Sequence, residues 1–585
     1  MWNIIDDQIK TRWAKEISPE TPLTDYPRPQ LKREIWKNLN GLWDFVVVDK
    51  DKIQVSEFTG KILVPFPIES ALSGIAQKLK PKQRLWYRRS FKVPSSWENN
   101  RIILHFGAVD WEATVWINEN QIGRHRGGYS PFSFDITEHI NLSDSNEIKV
   151  AVWDPTNKTN VIRGKQTLRP FSIKYTAVSG IWQTVWLEPV SQTHIQSIRT
   201  NPDIDNNKLQ LQLKVLNPKT DDQYEFKIKD AGSNIVEKKL PFKELYEFSI
   251  PDPNLWSPKK PFLYDLIIQI IRKGDIIDKI SSYFGMRKIS LSKEENGKKQ
   301  ILLNNKPLFQ YGPLDQGYWP DGLYTAPTDE ALKYDIEIAK ELGFNMIRKH
   351  VKVEPARWYY HCDKLGMLVW QEMPNGGKLG LLTMFINLLR KDKQFEYSLE
   401  QYQKDQFYQE LEEMINTLYN HPSIVMWIPF NEGWGQFDTQ KVVDFIDKLD
   451  RSRLINNASG WFDHGIGDIC DCHKYVGPAM PEGIQNRAPI CGEFGGLGLK
   501  IEDHTWKKWF RFVYEKLDDA DELIDHYSKL ISKLKELQKK GLSGAVYTQI
   551  TDVEGEINGL LTYDRDILKM DKKILRNLNL TLYNY

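Results

Sequence analysis

The chain has 585 residues, of which 41% are hydrophobic and 27% charged. This is an ordinary globular composition, long enough for about three to five domains. Seventy-nine Lys and Arg against 78 Asp and Glu leave a formal net charge of +1, so no basic excess points to nucleic acid or an anionic membrane as partner.

Met1-Trp2-Asn3-Ile4-Ile5-Asp6-Asp7 has no basic n-region, apolar core or small-residue cleavage site. The longest apolar stretch, around Leu379 to Leu389, is far short of the ~20 residues that span a bilayer. The expectation is a cytoplasmic chain without a membrane partner, although a leader already removed would leave the same sequence. The four cysteines, Cys362, Cys470, Cys472 and Cys491, are too few and too unevenly placed for a secreted disulfide scaffold. Cys470-Asp471-Cys472-His473 has C-x-C spacing with no second pair, so buried thiols are expected there rather than a metal.

Residues 1–190 carry short runs rich in Val, Ile, Trp and Tyr, punctuated by Gly, Pro, Asn and Asp. Trp43–Val48, Trp86–Val93, Arg101–Phe106, Ala113–Ile117 and Glu147–Trp153 read as strands, and the set predicts a β-sandwich jelly roll. Residues 191–288 continue with cleaner strands. Leu209, Leu211, Leu213 and Val215 alternate with polar residues, and Phe262–Ile271 is a further strand, as in an immunoglobulin-like sandwich.

From 289 to 585 the pattern changes to apolar strands alternating with helical periods. Thr328-Asp329-Glu330 opens a helix whose Leu332, Ile336, Ala339 and Leu342 share one face, and Gly343 closes it. A second helix carries Phe407, Leu411, Met414, Ile415 and Leu418, and stops at Asn420-His421-Pro422. Strands are expected near 308–311, 344–348, 367–371, 424–429, 454–457, 469–472, 489–492 and 544–548. Eight such alternations predict a (β/α)8 TIM barrel, with its active site at the C-terminal ends of the strands. The 373–397 stretch is a long connection of the kind that caps such a site.

The strand ends yield the candidate site. Asp315 and Gln316 follow the first strand, Lys349 and His350 the second, and Gln371 and Glu372 the third. Asn431, Glu432 and Trp434 follow the fourth, His473 and Tyr475 the sixth, Glu493 the seventh, and Gln549 and Asp552 the eighth. Two carboxylates from facing strands can divide glycoside cleavage: one protonates the leaving oxygen while the other attacks the anomeric carbon. Glu432 and Glu493 are assigned these roles. The apolar Trp427-Ile428-Pro429-Phe430 before Asn431 should help desolvate Glu432, the acid/base. Gly492 and Gly495-Gly496 should let the backbone turn to present Glu493, with Tyr475, Lys349 and His350 as candidates to keep it ionised. Trp319 and Trp434, in Gly-containing loops, are read as sugar platforms, Cys472 as core and His473 as a site-edge residue.

At these residues the chain resembles glycoside hydrolase family two, which includes β-galactosidases, β-glucuronidases and β-mannosidases. The resemblance rests on Trp86-Tyr87-Arg88-Arg89-Ser90-Phe91, Val115-Trp116-Ile117-Asn118, Gly127-Gly128-Tyr129-Ser130-Pro131-Phe132, Ser179-Gly180-Ile181-Trp182, Phe284-Gly285-Met286-Arg287, Asn431-Glu432 and Glu493. It implies a retaining hydrolase of terminal β-glycosides, with Asn431 bonding the sugar 2-hydroxyl. A β-galactoside-type substrate is preferred; a β-glucuronide, β-glucoside or α-L-arabinopyranoside stays open. Pro313-Leu314-Asp315-Gln316, Lys349-His350-Val351-Lys352 and Tyr547-Thr548-Gln549 depart from the family's best-known patterns, and no Asn-x-Lys pair follows the last strand.

Two competing readings remain. A metal-dependent hydrolase would need clustered ligands, and only His350 and His473 qualify. A non-catalytic carbohydrate-binding protein would tolerate loss of either glutamate, and both are present. No cofactor and no metal is expected, the partner is a carbohydrate, and a homo-oligomer is left open. The first two domains are expected to support the barrel and not to act catalytically; a jelly-roll loop inserted into the pocket would mean that the first domain shapes substrate choice.

Overall fold

The computed structural model describes residues 2–6, 8–292, 299–376, 394–482, 484, 486–506 and 512–583. Most of the 373–397 connection and the apolar stretch 379–389 lie outside these residues.

The first layered unit is a sandwich of two antiparallel sheets. The larger has six strands, in the order 60–64, 41–49, 83–91, 146–153, 112–117 and 120–126. The smaller runs 37–38, 185–190, 101–106 and 132–135. Alternation builds its core: Ile102, Leu104 and Phe106 from one sheet meet Ile148, Val150 and Val152 from the other. A second sandwich pairs a sheet of strands 194–203, 208–216 and 245–249 with one of strands 233–241, 223–230, 264–272 and 275–284. Leu209, Leu211 and Leu213 face Phe226, Ile228, Leu266 and Ile268 there.

Beyond residue 309 the chain forms a near-closed parallel barrel. Its strands are β1 (Gln310–Asp315), β2 (Met346–Lys349), β3 (Leu368–Glu372), β4 (Ile424–Ile428), β5 (Leu454–Ile455), β6 (Ile469–Tyr475), β7 (Ala488–Gly495) and β8 (Gly544–Thr548). The hydrogen-bonded order is β5-β4-β3-β2-β1-β8-β7-β6. Asp468 closes the gap between β5 and β6: its N–H donates to Ile455 O at 2.8 Å, and its carboxylate accepts from Ile455 N at 2.9 Å. Helices α1 (Asp329–Glu341), α2 (Ala356–Leu365), α3 (Gln401–Leu418), α4 (Thr439–Leu449), α5 (Ala520–Lys539) and α6 (Lys572–Leu580) lie outside the strands. Thr328 caps α1 by accepting from Ala331 N at 3.1 Å, and Asp329 and Glu330 complement the helix dipole.

Strand residues divide between two cores. Leu314, Met346, Leu368, Trp370, Ile428, Ile490 and Val546 belong to the barrel interior. Tyr311, Ile347, Val369, Trp427, Cys491, Phe494 and Tyr547 pack outward against the helices. This period-two division decides which strand-end residues reach the site.

One carboxylate ties the second sandwich to the barrel. Asp363 in α2 accepts from Tyr283 Oη at 2.7 Å, His421 Nδ1 at 2.6 Å and Ser423 N at 2.9 Å, all buried. Replacing Asp363 with Ala strands three buried polar groups and should cost about 3 kcal/mol, whereas Tyr283→Phe should cost about 1 kcal/mol. Denaturant unfolding of the full chain checks this; equal midpoints for Asp363→Ala and the parent chain would contradict the clamp.

Candidate active site

The inward face of each strand carries the site. On β2, Met346 and Arg348 point inward while Ile347 and Lys349 point outward. On β6, Ile469, Asp471, His473 and Tyr475 fall on one face by the same alternation. Strict alternation on β7 would turn Glu493 outward, because Ile490 faces the interior and Cys491 the helices. The register shifts instead: Cys472 pairs with Cys491, and His473 pairs with Glu493, so Gly492 is an extra residue. Such a bulge re-aims the side chain that follows it. Gly492 is also required sterically, since a Cβ there would lie 2.3 Å from Asp471 Oδ2. Its role is close approach to Asp471, whereas the sharp turn belongs to Gly495 and Gly496, with φ of +93° and +80°.

Glu432 follows β4 in the left-handed region, with φ +51°, a strained conformation for a residue bearing a side chain. Its N–H donates to Ser459 O at 2.8 Å, and Gly433 continues the turn. The two glutamates converge: Glu432, His473 and Glu493 each offer an atom, and these atoms lie within 4.8 Å of one another.

His473 joins the pair. Its Nδ1 donates to Glu432 Oε1 at 2.8 Å and lies 3.7 Å from Glu493 Oε1. Its Nε2 lies 2.9 Å from Ser459 Oγ, which in turn donates to Asp471 Oδ2 at 2.5 Å. His473 is therefore central, not at the site edge. Burial opposes its charge, but the Glu493 and Glu432 carboxylates win and raise its pKa to about 9.

Glu493 is held ionised. Burial would raise its pKa, but His473, Arg348 and His350 and a hydrogen bond from Tyr475 hold it at about 2. Tyr475 Oη donates to Oε2, while Arg348 Nη1 stands 3.3 Å from Oε1. Oε1 is buried and accepts no hydrogen bond from the described residues. Tyr514 stacks on Tyr475 with ring centres 3.7 Å apart.

Arg348 is a site residue that reading strand ends alone misses. It donates to Glu372 Oε1 at 2.5 Å, Gly492 O at 2.7 Å and Asn431 Oδ1 at 2.8 Å. Asn431 thus has its carbonyl oxygen fixed, which leaves its amide nitrogen for a ligand. Glu372 also accepts from Val351 N at 3.0 Å and lies 3.0 Å from His350 Nδ1, so it braces both Arg348 and His350 beside Glu493. Burial lowers the pKa of His350.

Other strand-end candidates lie elsewhere. Lys349 points to the helix layer, donating to Asp315 Oδ2 at 2.5 Å and Glu354 Oε1 at 2.8 Å beside the Trp358 ring. It is a buried structural ion, and Asp315 is its partner. Gln371 accepts from Tyr359 Oη at 2.6 Å on the same outward face. Gln549 is buried between Gln316 and Asn558. Asp552 is paired with Lys569 at 2.6 Å. Trp319 is a core residue, 3% exposed, with Arg565 over its ring and Trp13 against its edge. Trp434 is buried too, and Lys174 Nζ lies 3.2 Å from its ring centre, so that face is not open to a sugar.

The first domain reaches the site, the arrangement that bears on substrate choice. Segment 162–176 of the jelly roll packs over the barrel mouth. Arg163 N and Gly164 N donate to Asn375 O at 3.2 and 2.8 Å. A Cβ on Gly164 would sit 2.5 Å from Val351 O, so only glycine allows this approach. Tyr175 Oη donates to Glu556, and Thr176 N donates to Glu554 Oε1 at 2.7 Å. Lys165 and Lys174 accompany them.

Among the described residues two groups have the reach to hold an ion: Glu432 with His473 and Glu493, and His504 with Asp564 and Asp566. In the first, His473 Nδ1 is already committed to Glu432, and a protonated imidazole supplies the positive charge that the carboxylates require. The thiols Cys362, Cys470 and Cys491 are buried, Cys472 is partly so, and none of the four is in a disulfide.

Three sequence models match the chain: the sugar binding domain of glycosyl hydrolases family 2 at residues 59–189, the family 2 domain at 193–287, and the family's TIM barrel domain at 295–490. The chain belongs to glycosyl hydrolases family 2. A β-galactosidase of Thermoanaerobacter pseudethanolicus is 28% identical over 388 residues, covering 63% of this chain and 47% of that protein. A putative β-glucuronidase of Formosa agariphila is 28% identical over 386 residues, covering 62% and 42% respectively. The chain thus spans less than half the length of these two relatives. The solved structure of a β-D-glucuronidase for Dictyoglomus thermophilum superposes with a TM-score of 0.76 at 19% identity, covering 96% of this chain and 99% of that one, and shows the same fold. No described helix is long and apolar enough to cross a membrane.

The His473 bridge has a pH signature. Its pKa rises on folding, so its stabilisation is complete below about pH 6.5 and is lost as pH rises through about 9. The stability advantage of the parent chain over His473→Gln should shrink between pH 6 and 10, by on the order of 2 kcal/mol. Unfolding midpoints of both proteins across that range check this; a constant difference would show that His473 is neutral in the fold.

Proposed function

We propose that the chain is a retaining β-glycosidase acting on galactoside- or glucuronide-type substrates, with Glu493 as nucleophile and Glu432 as acid/base. One observation carries this reading: two buried carboxylates that converge so that an oxygen of one lies within 4.8 Å of an oxygen of the other, one of them held ionised. Carboxyl groups about 5–5.5 Å apart suit direct attack, whereas an intervening water needs roughly 6.5–9.5 Å. The names of the two curated relatives support the sugar classes.

In the first step Glu493 Oε1 attacks the anomeric carbon. The bond to the leaving oxygen breaks with its electron pair, and that oxygen takes a proton from Glu432. His473 already engages Glu432 Oε1, which leaves Oε2 to carry the proton. In the second step the Glu432 carboxylate takes a proton from water, the water oxygen attacks the same carbon, and the ester bond to Glu493 breaks. Two inversions give net retention. Asn431, oriented by Arg348, donates to the sugar 2-hydroxyl, a bond that strengthens as positive charge develops on the ring.

Glu432→Ala should slow alkyl or disaccharide substrates by about 10²–10⁴-fold, the usual worth of a general acid. Dinitrophenyl glycosides, whose leaving group needs no proton, should lose far less in their first step. Burst and steady-state kinetics on both substrate types test the assignment, with NMR of the first-formed anomer. Equal losses would remove Glu432 from the acid role, and an inverted first product would replace the mechanism.

A further inference from the structure

Resting on the two-glutamate reading, we propose that Lys174 and Lys165 of the inserted jelly-roll segment form an anion-binding subsite beside Glu432, so that the preferred substrate is a glycoside carrying a carboxylate or similar anionic group. The two ammonium groups converge on one aromatic ring, Lys174 Nζ at 3.2 Å and Lys165 Nζ at 6.0 Å from the Trp434 ring centre. Trp434 is two residues beyond Glu432, so the pair stands next to the acid/base.

Lys174 Nζ is buried and has no hydrogen-bond partner among the described residues. Neither lysine forms an ion pair with a described carboxylate, in contrast to Lys349, Lys352 and Lys569, the other buried lysines of the barrel top. Two buried ammonium groups beside one ring, with no described carboxylate within ion-pair distance of either, cost free energy unless a ligand supplies the charge. The consequence is visible in Lys174: burial, then Lys165 and Arg163, push its pKa well down, against the pull of Glu432. A bound carboxylate or sulfate would reverse that balance and accept charge-assisted hydrogen bonds from both lysines.

The segment is held where a subsite needs rigidity. It is pinned by Asn375 O on one side and by Glu554 and Glu556 on the other, and Gly164 lets it lie against Val351. This is a different place from the loop beyond the last barrel strand.

Calorimetric titration of the full chain tests the subsite. D-Galacturonate and D-glucuronate are compared with D-galactose and D-glucose on the parent protein. On the Glu493→Gln variant, p-carboxyphenyl β-D-galactoside is compared with p-nitrophenyl β-D-galactoside. The expected result is at least one anionic compound binding about 10-fold or more tightly than its neutral counterpart. Preference among the free sugars places the anion on the glycone, and preference among the aryl galactosides places it on the leaving group. Lys174→Met should bring the anionic-to-neutral ratio towards one, and Lys165→Met should lower it independently, with unfolding midpoints confirming that both fold. Equal affinities in the parent protein, no binding of any anionic compound, or a ratio unchanged in both variants would overturn the proposal. Retaining cleavage of neutral aryl glycosides with no anion preference would sink this inference alone. Anion preference in binding, with no glycoside cleaved, would instead sink the hydrolase reading.

Discussion

Everything at the barrel mouth follows from burying two carboxylates against each other. At ~5 Å separation and an effective dielectric of about 20, their repulsion is roughly 3 kcal/mol, before desolvation is counted. Left alone, the pair would share a proton and lose its division of labour. His473 and Arg348 prevent this, and each is held by buried neighbours. Ser459 and Asp471 orient His473. Glu372, Gly492 O and Asn431 fix Arg348. The net effect is asymmetric: Glu493 faces the cations and Tyr475, while Glu432 receives one bond from His473. On the proposed mechanism, this difference in surroundings rather than residue type is what would set nucleophile apart from acid.

Two local departures from regular structure deliver the carboxylates. The Gly492 bulge turns Glu493 into the barrel, and its missing side chain gives Asp471 room to reach the same backbone. The left-handed backbone at Glu432 lifts the other glutamate off the end of β4. Strain of this kind persists where surrounding packing over-determines it, here through Ser459 and the closed ring of strands.

The architecture was readable because its signals are local. All eight barrel strands fall at the expected segments, since apolar runs bounded by helix caps survive without knowledge of the tertiary fold. The strand ends also named the residues that converge with Glu432 and Glu493, namely Asn431, His473, Tyr475, His350 and Glu372. The errors came from ignoring face. Alternation from Met346 makes Arg348 inward and Lys349 outward, and applying it would have exchanged one for the other. Alternation on β6 would likewise have added Asp471. It fails at Glu493, where only three-dimensional pairing reveals the bulge. Trp319 was misread because an aromatic in a Gly-containing loop looks the same whether it meets a sugar or Trp13. The jelly-roll insertion had no local signal: it depends on contacts between residues about 200 positions apart, such as Gly164 with Asn375.

The supporting domains are thus not equivalent. The second sandwich clamps the barrel through Asp363 and Arg287, far from the mouth. The jelly roll adds side chains to the mouth itself. The central claim, that Glu493 attacks the anomeric carbon, is tested most directly by trapping. An activated 2-deoxy-2-fluoro β-glycoside of the cleaved sugar slows both steps, and its good leaving group lets the intermediate accumulate. Peptide mass spectrometry should then find one fluoroglycosyl group per chain, on Glu493. A label on any other residue would contradict the account.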